Sequence, residues 1–577
     1  MRAVLRVPGR PQSSLTLRDG TAWLLLLGYA VAAGVVILPV LRHPASQFPG
    51  KFGDPDVFTW WIAWAQSWWT HGGSLLHTDA LNAPLGTSTL WNTSVLGPGL
   101  LVAPVTSLAG PVASYNFLIL AGMSLSAWVT SLAAARWVSR PAAVVSGLLG
   151  GFGAYTVAQA YGHLNLVWLV YPALLVLLGT DLLRGAHPVR IGLCVAVATC
   201  WQFFVSTEML TSSWVFAGVL AISLVVVRRP TQRMLRAVFI AGSTAVVSAT
   251  AVLGYPLVQA LGSADRHPGS IRSPVAFSGD LANLIIPTAV ERFAPWSSVA
   301  AHFPGNLMEN GLYLGVPLLL VLAITCWATR RRAVTRILAA AGLVMLVLSL
   351  GPSPWVAGHR YHMPLPWALL QHAFPLSSVQ PDRLSAYVYL CAALLAGIGV
   401  DAARARIRNR APTFLALALG VACAITLFPG TIPSSAVSTP AFFTSSDVDM
   451  LPAGSLVRTI PFEEAGFRAI SARPMVWQAE SGLRYRTRHG RLIGRHAPLD
   501  AFDWLANSLV RGPSRAPIPV RPACAALRGS STSAVVVLAG QTYTPRVLQA
   551  MRAVTGIPGR AIDGVVLFLL SGTSCGA

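Results

Sequence analysis

Lysine is all but missing from this sequence: Lys51 stands alone among 42 basic residues, and every other one is arginine. Charge of either sign is scarce. Asp, Glu, Lys and Arg together make up 11% of 577 residues, where a water-soluble domain carries about 25%. That scarcity excludes an ordinary soluble enzyme. Disorder is excluded by the same figures, because 54% hydrophobic residues and a mean hydropathy of +0.59 belong to a chain that buries apolar surface. Cysteine is sparse as well: seven residues with no CxxC and no Cys/His pair at zinc spacing argue against a zinc or dithiol centre. Cys194, Cys200, Cys326, Cys391 and Cys423 fall in apolar runs, where cysteine acts as a small hydrophobe. Cys524 and Cys575 lie in the polar C-terminal stretch and are expected to form one disulfide if that stretch faces an oxidising compartment. No GxxxxGK[ST] phosphate loop occurs, so neither a nucleotide cofactor nor an ATP-driven pump is expected.

What the chain has instead is apolar runs. Eleven of them, near 21–41, 114–135, 141–160, 164–183, 189–207, 211–227, 236–259, 311–328, 335–351, 384–400 and 412–430, approach the about 20 residues needed to cross hydrocarbon. No small-residue cleavage site follows the first, which reads as an uncleaved helix. The stretch 94–112 is broken by Gly97, Pro98, Gly99, Pro104, Gly110 and Pro111 and is expected not to span. With that choice the arginine groups Arg2/Arg6/Arg10/Arg18, Arg136/Arg140, Arg184/Arg190, Arg228/Arg229/Arg233/Arg236, Arg330/Arg331/Arg332/Arg336 and Arg404/Arg406/Arg408/Arg410 share one side. By the positive-inside rule that side is the cytoplasm. The N-terminus is then cytoplasmic and the C-terminus extracytoplasmic. The formal net charge of +22 records this loop bias, and no nucleic-acid partner is expected. Counting 94–112 as a crossing would put the later arginine groups outside.

The fold expected is therefore an all-α polytopic membrane protein of about eleven transmembrane helices over residues 1–430, with a long first extracytoplasmic loop at 42–113. Residues 431–577 read as a small extracytoplasmic α/β domain, with strands at 455–462, 533–538 and 564–570 and a helix at 545–554. Acidic residues sort to the outer side. Asp19, Asp181 and Asp401 fall inside, whereas Asp54, Asp56, Asp79, Glu208, Asp265, Asp280, Glu291, Glu309 and Asp382 lie at or beyond the outer face, so any chemistry is expected there.

Asp54 and Asp56 precede a tryptophan-rich segment, with Trp60, Trp61, Trp64, Trp68 and Trp69 fitting a helix at headgroup depth. Two carboxylates there suit proton abstraction from a hydroxyl or a divalent ion. A helix cap is the plainer alternative. His163 and Asn165 share a turn between helices, where a histidine is more often solvated. Glu208 is an ionisable group at an outer helix end, a functional candidate by default, or one that merely snorkels. Glu309 and Tyr313 open another outer helix, a place that also suits glutamate on dipole grounds. Arg383 is of phosphate-binding type, or pairs with Asp382. Carboxylates, an arginine and an aromatic shelf together suit a lipid-phosphate substrate whose head is processed outside. Trp477, Tyr485 and Trp504 are candidate sugar-stacking surfaces, with the core as the plainer place for them.

Five stretches carry a resemblance: GDPDVFTWWIAWAQSWW with LNAPLGTSTLWNTSV; Ala134–Val170, where the RWVSRP turn leads to GHLNLVWLVYP; SGDLANLIIP with ENGLYLG; QPDRLSAY; and the C-terminal MVWQAESGLRYRTRHG. Over most of its length the chain resembles bacterial multi-pass membrane glycosyltransferases of the GT-C superfamily. The resemblance implies a polyprenyl-phosphate-linked sugar donor and inverting transfer to an envelope glycan or glycolipid outside the membrane. It also implies an acidic first-loop base, here Asp54 or Asp56 with Asp54 favoured because it follows Gly53. A divalent metal (Mg or Mn) on those carboxylates and donor-phosphate binding by Arg383 are implied too, in a bacterial plasma membrane. The rival classes are a flippase-like lipid or glycan transporter and a non-catalytic envelope assembly protein. A carrier would want acids midway along helices, where this sequence has Leu, Val, Ala and Gly.

Overall fold

The computed structural model describes residues 15–51, 53–266, 269–406, 410–462, 472–511 and 519–570. Arg2, Arg6, Arg10, Arg408 and Cys575 lie outside the described residues. Among the described residues six helices are long and apolar enough to cross a membrane: Ala103–Ala134, Arg140–Gln159, Leu164–Leu183, Thr207–Val227, Gln232–Gly262 and Pro381–Ala405. Five shorter apolar helices are Gly20–Val36, Pro188–Phe203, Gly315–Ala328, Ala333–Ser349 and Ala416–Thr426. Each expected apolar run holds one of these. Helices are forced on such sequences, since in hydrocarbon only an element that satisfies its own N–H and C=O groups is tolerated.

Exposure tells which of them meet lipid. On Thr207–Val227 and Gln232–Gly262 the exposed side chains include Ile222, Val225, Val226, Phe239, Val246 and Val247, an apolar surface that water would not support. Helices Arg140–Phe152 and Ser385–Arg406 are mostly buried and approach neighbours through small residues. A Cβ at Gly147 would fall 2.7 Å from the Ala127 carbonyl oxygen, and one at Gly397 would meet Ala142 O at 3.0 Å. Small side chains let helix backbones close on each other where no hydrophobic drive between helices exists. The broken stretch at 94–112 forms a short helix, Leu96–Leu101, and the start of Ala103–Ala134. The latter is interrupted at Gly110, whose φ of 83° and ψ of 167° precede Pro111. Glycine permits that backbone and proline removes the hydrogen-bond donor that would bridge it.

The chain forms two compact units. One holds Met1–His43, Asn116–Tyr255 and Pro268–Ser434, and carries most of the apolar helices; the other holds Pro44–Tyr115, Pro256–His267 and Ser435–Ala577. The first-loop region and the C-terminal region thus belong to one body, although the sequence separates them by more than 300 positions. Buried polar side chains join them. Trp60 Nε1 donates to Gln478 Oε1 at 2.7 Å, Asn82 Nδ2 donates to Arg495 O at 2.9 Å and Asn82 Oδ1 accepts from Ala497 N at 2.7 Å. Asp265 accepts from Ser88 N at 2.7 Å and Arg495 N at 3.2 Å.

Within that unit lies a five-stranded sheet of β1 (Leu456–Ile460), β2 (Arg486–Thr487), β3 (Thr532–Leu538), β4 (Arg560–Ile562) and β5 (Val565–Leu569), in the order β4-β5-β3-β1-β2. β1 runs parallel to β2 and β3, and β5 is antiparallel to β3 and β4. Alternation along β3 splits two cores. Val535 and Val537 pack with Phe502, Leu505, Leu527 and Met551 on one face, while Ala534 and Val536 pack with Phe443, Trp477 and Tyr485 on the other, as the two-residue period of a strand requires. Trp477 and Tyr485 are therefore core, and Trp504 is 59% exposed. The tryptophan shelf is corrected in the same way: Trp60 and Trp61 are fully buried and Trp69 is exposed. Indoles with hydrogen-bond partners inside, such as Trp60, are packing residues. Cys524 is disulfide-bonded, and its expected partner Cys575 lies outside the described residues.

Candidate active site

Asp54 and Asp56 open the helix Asp54–His71. The local sequence dictates the turn. Gly53 sits at φ 122°, a conformation open to glycine and strained for other residues, and Pro55 occupies the first turn, where its missing N–H costs nothing. The Gly53 N–H donates to Asp56 Oδ2 at 3.0 Å, so Asp56 performs the capping role. Its other oxygen, Oδ1, accepts no hydrogen bond and lies 3.6 Å from Arg473 Nε. The Arg473 guanidinium also sits 5.8 Å from the centre of the Phe48 ring. Burial pushes the Asp56 carboxyl up from 3.8 to about 6, against the opposing pull of Arg473. Asp54 differs in access. Its side chain is 32% exposed, and its Oδ1 lies 2.9 Å from Nη1 of Arg491, itself 37% exposed.

The expected divalent ion does not fit these residues. Each carboxylate already faces an arginine, which competes with a cation for its oxygens. Among the described residues there is also no group of three or more His, Cys, Asp or Glu able to hold a metal.

The other unit contains a second arginine–carboxylate centre. Arg383 Nε and Nη2 donate to Glu309 Oε2 and Oε1 at 3.2 and 2.6 Å, and Nη1 donates to Glu208 Oε2 at 2.5 Å. Glu208 Oε1 accepts from the Gln380 N–H at 2.9 Å. His163 Nδ1 lies 2.6 Å from Gln159 Oε1 and 3.8 Å from Glu309 Oε1. Burial would raise the Glu309 carboxyl, but Arg383 and His163 hold it below the usual glutamate range. Asn165 Nδ2 donates to Ser206 Oγ at 3.2 Å, and Ser206 caps the helix that carries Glu208. Arg383, Glu208, Glu309 and His163 are thus gathered as one network with Asn165 beside it. Arg383 pairs with these glutamates, while both carboxyl oxygens of its neighbour Asp382 are buried and accept no hydrogen bond. Tyr313 stands apart: its hydroxyl interacts with Thr426, and its surroundings include Glu291 and Cys423.

Sequence reasoning missed Arg473 and Arg491, which meet carboxylates more than 400 positions earlier. A signal was present. Arg484, Arg486, Arg488 and Arg491 crowd into one short segment beside Arg473, in a region otherwise built as a core.

No family model and no curated protein matches the sequence. Solved structures do. The mycobacterial arabinofuranosyltransferase AftD superposes with a TM-score of 0.57 at 13% identity over 97% of this chain and 40% of AftD. A mutant form of it gives 0.59 at 13% identity, over 97% of this chain and 42% of that one. The oligosaccharyltransferase AglB of Archaeoglobus fulgidus, in complex with an inhibitory peptide and a dolichol-phosphate, gives 0.50 at 10% identity over 90% and 69%. The chain has a GT-C-like fold. It spans about two fifths of the length of AftD, and together with its apolar helices the fold makes it an integral membrane protein.

Proposed function

We propose that the chain is a membrane glycosyltransferase that moves a sugar from a polyprenyl-phosphate donor to an envelope glycan or glycolipid acceptor on the extracytoplasmic face of a bacterial plasma membrane, with Asp54 as general base. The observation that carries the reading is the inequality of the two first-loop carboxylates within a GT-C-like fold. Asp56 is sealed and spent on capping Gly53, whereas Asp54 keeps a third of its side chain open to a substrate. AglB was solved with a dolichol-phosphate, a polyprenyl phosphate of the class proposed here.

In this reading the acceptor hydroxyl oxygen attacks the anomeric carbon as the bond from that carbon to the phosphate oxygen breaks. The hydroxyl proton passes to the Asp54 carboxylate, and the bonding electron pair leaves on the lipid phosphate, so the anomeric centre inverts. Phosphate needs no general acid on leaving, only positive charge nearby. Arg383, by the resemblance a phosphate ligand, gives Nε, Nη1 and Nη2 to two glutamates, so phosphate there would have to displace one of them. Glu208, Glu309, His163, Asn165 and Tyr313 are proposed as residues lining the donor or acceptor. The arginine-rich loops support a cytoplasmic N-terminus and an extracytoplasmic C-terminus, and all eleven apolar helices are proposed to cross.

Reconstituted full-length protein, offered a polyprenyl-phosphate sugar and a glycolipid acceptor, should lose transfer by at least about a hundredfold in Asp54→Asn. Lipid binding should be retained. Lipid translocation without sugar transfer would favour a carrier, and binding without either would favour an assembly protein. Cysteines introduced near residues 75 and 270 should label from outside the cell, and one near 332 only after permeabilisation.

A further inference from the structure

In the unit that holds the five-stranded sheet, a cavity of about 430 Å³ lies where the parallel strands begin. Leu456 opens β1, Arg486 opens β2, and Ser530 and Ser531 lead into β3. Arg486, Arg488, Asp500 and Ser530 give the cavity polar walls, and Pro84 and Leu456 give it apolar ones. We propose that this cavity binds a neutral oligosaccharide by its hydroxyl groups. It shares no residue with the Asp54–Arg491 pair, and the inference does not depend on Asp54 being the base.

Hydrogen-bonding capacity selects the ligand class. Arginine only donates and an ionised aspartate only accepts, so a molecule that meets both must do both, as a hydroxyl does. An ionised phosphate or carboxylate has nothing to donate, and an ammonium group cannot accept. Charge points the same way. Arg486 Nη1 lies 3.2 Å from Asp79, Arg458 Nη2 lies 2.6 Å from Asp500, and Arg488 Nε lies 3.4 Å from Asp503. Burial would raise the Asp503 carboxyl, but His489, whose Nε2 is 2.8 Å away, and Arg458 hold it below the usual aspartate range. Three arginines thus face three aspartates, and no surplus is left to favour an anion.

The polar walls are held in place from behind. Arg458, 2% exposed, donates to Asp503 Oδ1 at 2.5 Å, Asp500 Oδ2 at 2.6 Å, Ser530 Oγ at 3.0 Å and Thr532 Oγ1 at 3.3 Å, and it sits 5.7 Å from the centre of the Phe502 ring. A network anchored in this way fixes its rotamers before any ligand arrives, which lowers the ordering cost of binding. Capacity is left on the ligand side. Among the described residues Arg488 donates one hydrogen bond, from Nη2 to Pro498 O at 2.5 Å, so Nη1 is uncommitted. Asp500 accepts from Asp503 N at 3.0 Å on Oδ1 and from Arg458 on Oδ2, one donor on each oxygen where each can take two. Pro84 and Leu456 can receive the C–H face of a sugar ring, whose burial is favourable. The volume falls within the about 300–1,000 Å³ usual for small-ligand sites.

The test titrates the full-length protein in nanodiscs with linear hexasaccharides of glucose, mannose, galactose and arabinose, and with an oligosaccharide of uronic acids. At least one neutral chain should bind, and raising salt from about 50 to about 500 mM should change its affinity by less than about twofold. Arg488→Gln and Asp500→Asn should each weaken it about tenfold. Ala526→Leu, which adds bulk to the cavity wall and leaves every charged group in place, should weaken it at least as much, and it carries the test if Arg488→Gln unfolds. Arg484→Gln, a change at a neighbouring arginine that pairs with Asp449 outside the cavity, should leave binding unchanged. No binding of any neutral chain, tighter binding of the uronic-acid chain, a steep loss with salt, or full binding by Ala526→Leu would each overturn the site. Asp54→Asn should bind the same chain as wild type does. Sugar transfer surviving in that variant would sink the base assignment and leave this site standing, so the two failures are distinguishable.

Discussion

The arginine–carboxylate centres around Arg383 and around Asp54, which belong to different units, are made of the same chemical parts and differ in exposure. Around Arg383 three nitrogens reach two glutamates, and Glu309 and Glu208 are 1% and 17% exposed. Around Asp54 a contact of 2.9 Å to Arg491 lies between two partly exposed groups. A sealed network of this kind holds segments distant in sequence together, here the turn at 163, the helix start at 208, the 309 segment and the 383 turn. A partly exposed pair is screened by water and contributes less to stability. Exposure, more than residue type, therefore separates the two centres.

The comparison breaks first at Arg383. Arg383→Ala leaves the buried Glu309 and the partly buried Glu208 without their cation and should cost about 3–5 kcal/mol of stability, read as a large fall in the unfolding temperature in detergent. A loss below about 1 kcal/mol would mean the network is not the clamp described. Arg473→Ala is expected to come next, at about 3 kcal/mol, because it strands Asp56 in a buried site.

A pH titration sharpens the contrast. Burial raises Asp56 from 3.8 to about 6, so the folded chain favours its protonated form. The stability from this group is full below about pH 4 and is lost as pH rises through 6. Asp56→Asn, which keeps an oxygen for the Gly53 N–H, should flatten that slope and lose little at pH 7. A slope unchanged between pH 4 and 6 would contradict the burial account. Glu309 runs the opposite way. Held below the usual glutamate range, it gives stability that is present at neutral pH and lost only as pH falls through its lowered value. The smallest effect belongs to Arg491→Gln, about 0–1 kcal/mol, since a half-exposed pair is screened by water. A cost as large as that at Arg383 would erase the distinction between the centres.

Much of the scaffold was legible in the sequence because it follows from local physics. Apolar runs became helices, the Gly110–Pro111 break interrupted one, and the expected strands at 455–462, 533–538 and 564–570 appear as β1, β3 and β5. Short or amphipathic pieces were missed. The helices Arg473–Glu480, Ala501–Arg511 and Val520–Gly529 have modest apolar content, and their fit depends on the sheet they cover. The candidate site was half legible. Asp54 and Asp56 stand out by their place before a tryptophan-rich helix, Glu208 by the cost of an ionisable group near hydrocarbon, Glu309 by its place at a helix start and Arg383 as the cation of the last outer loop. Their partners do not, because Arg473–Asp56, Arg491–Asp54 and Trp60–Gln478 are long-range pairings that no periodicity encodes. The tryptophans misled for a related reason: an indole suits a membrane interface and a polar-lined core equally well, and only the Gln478 contact separates the two.

The most direct measurement compares Asp54→Asn with Asp56→Asn for sugar transfer by the full-length protein in proteoliposomes supplied with a polyprenyl-phosphate sugar. Transfer should vanish in the first variant and persist within about tenfold in the second, whose cap the asparagine preserves. If Asp54→Asn still transfers sugar, the open carboxylate is not the base and the enzyme reading built on it is contradicted.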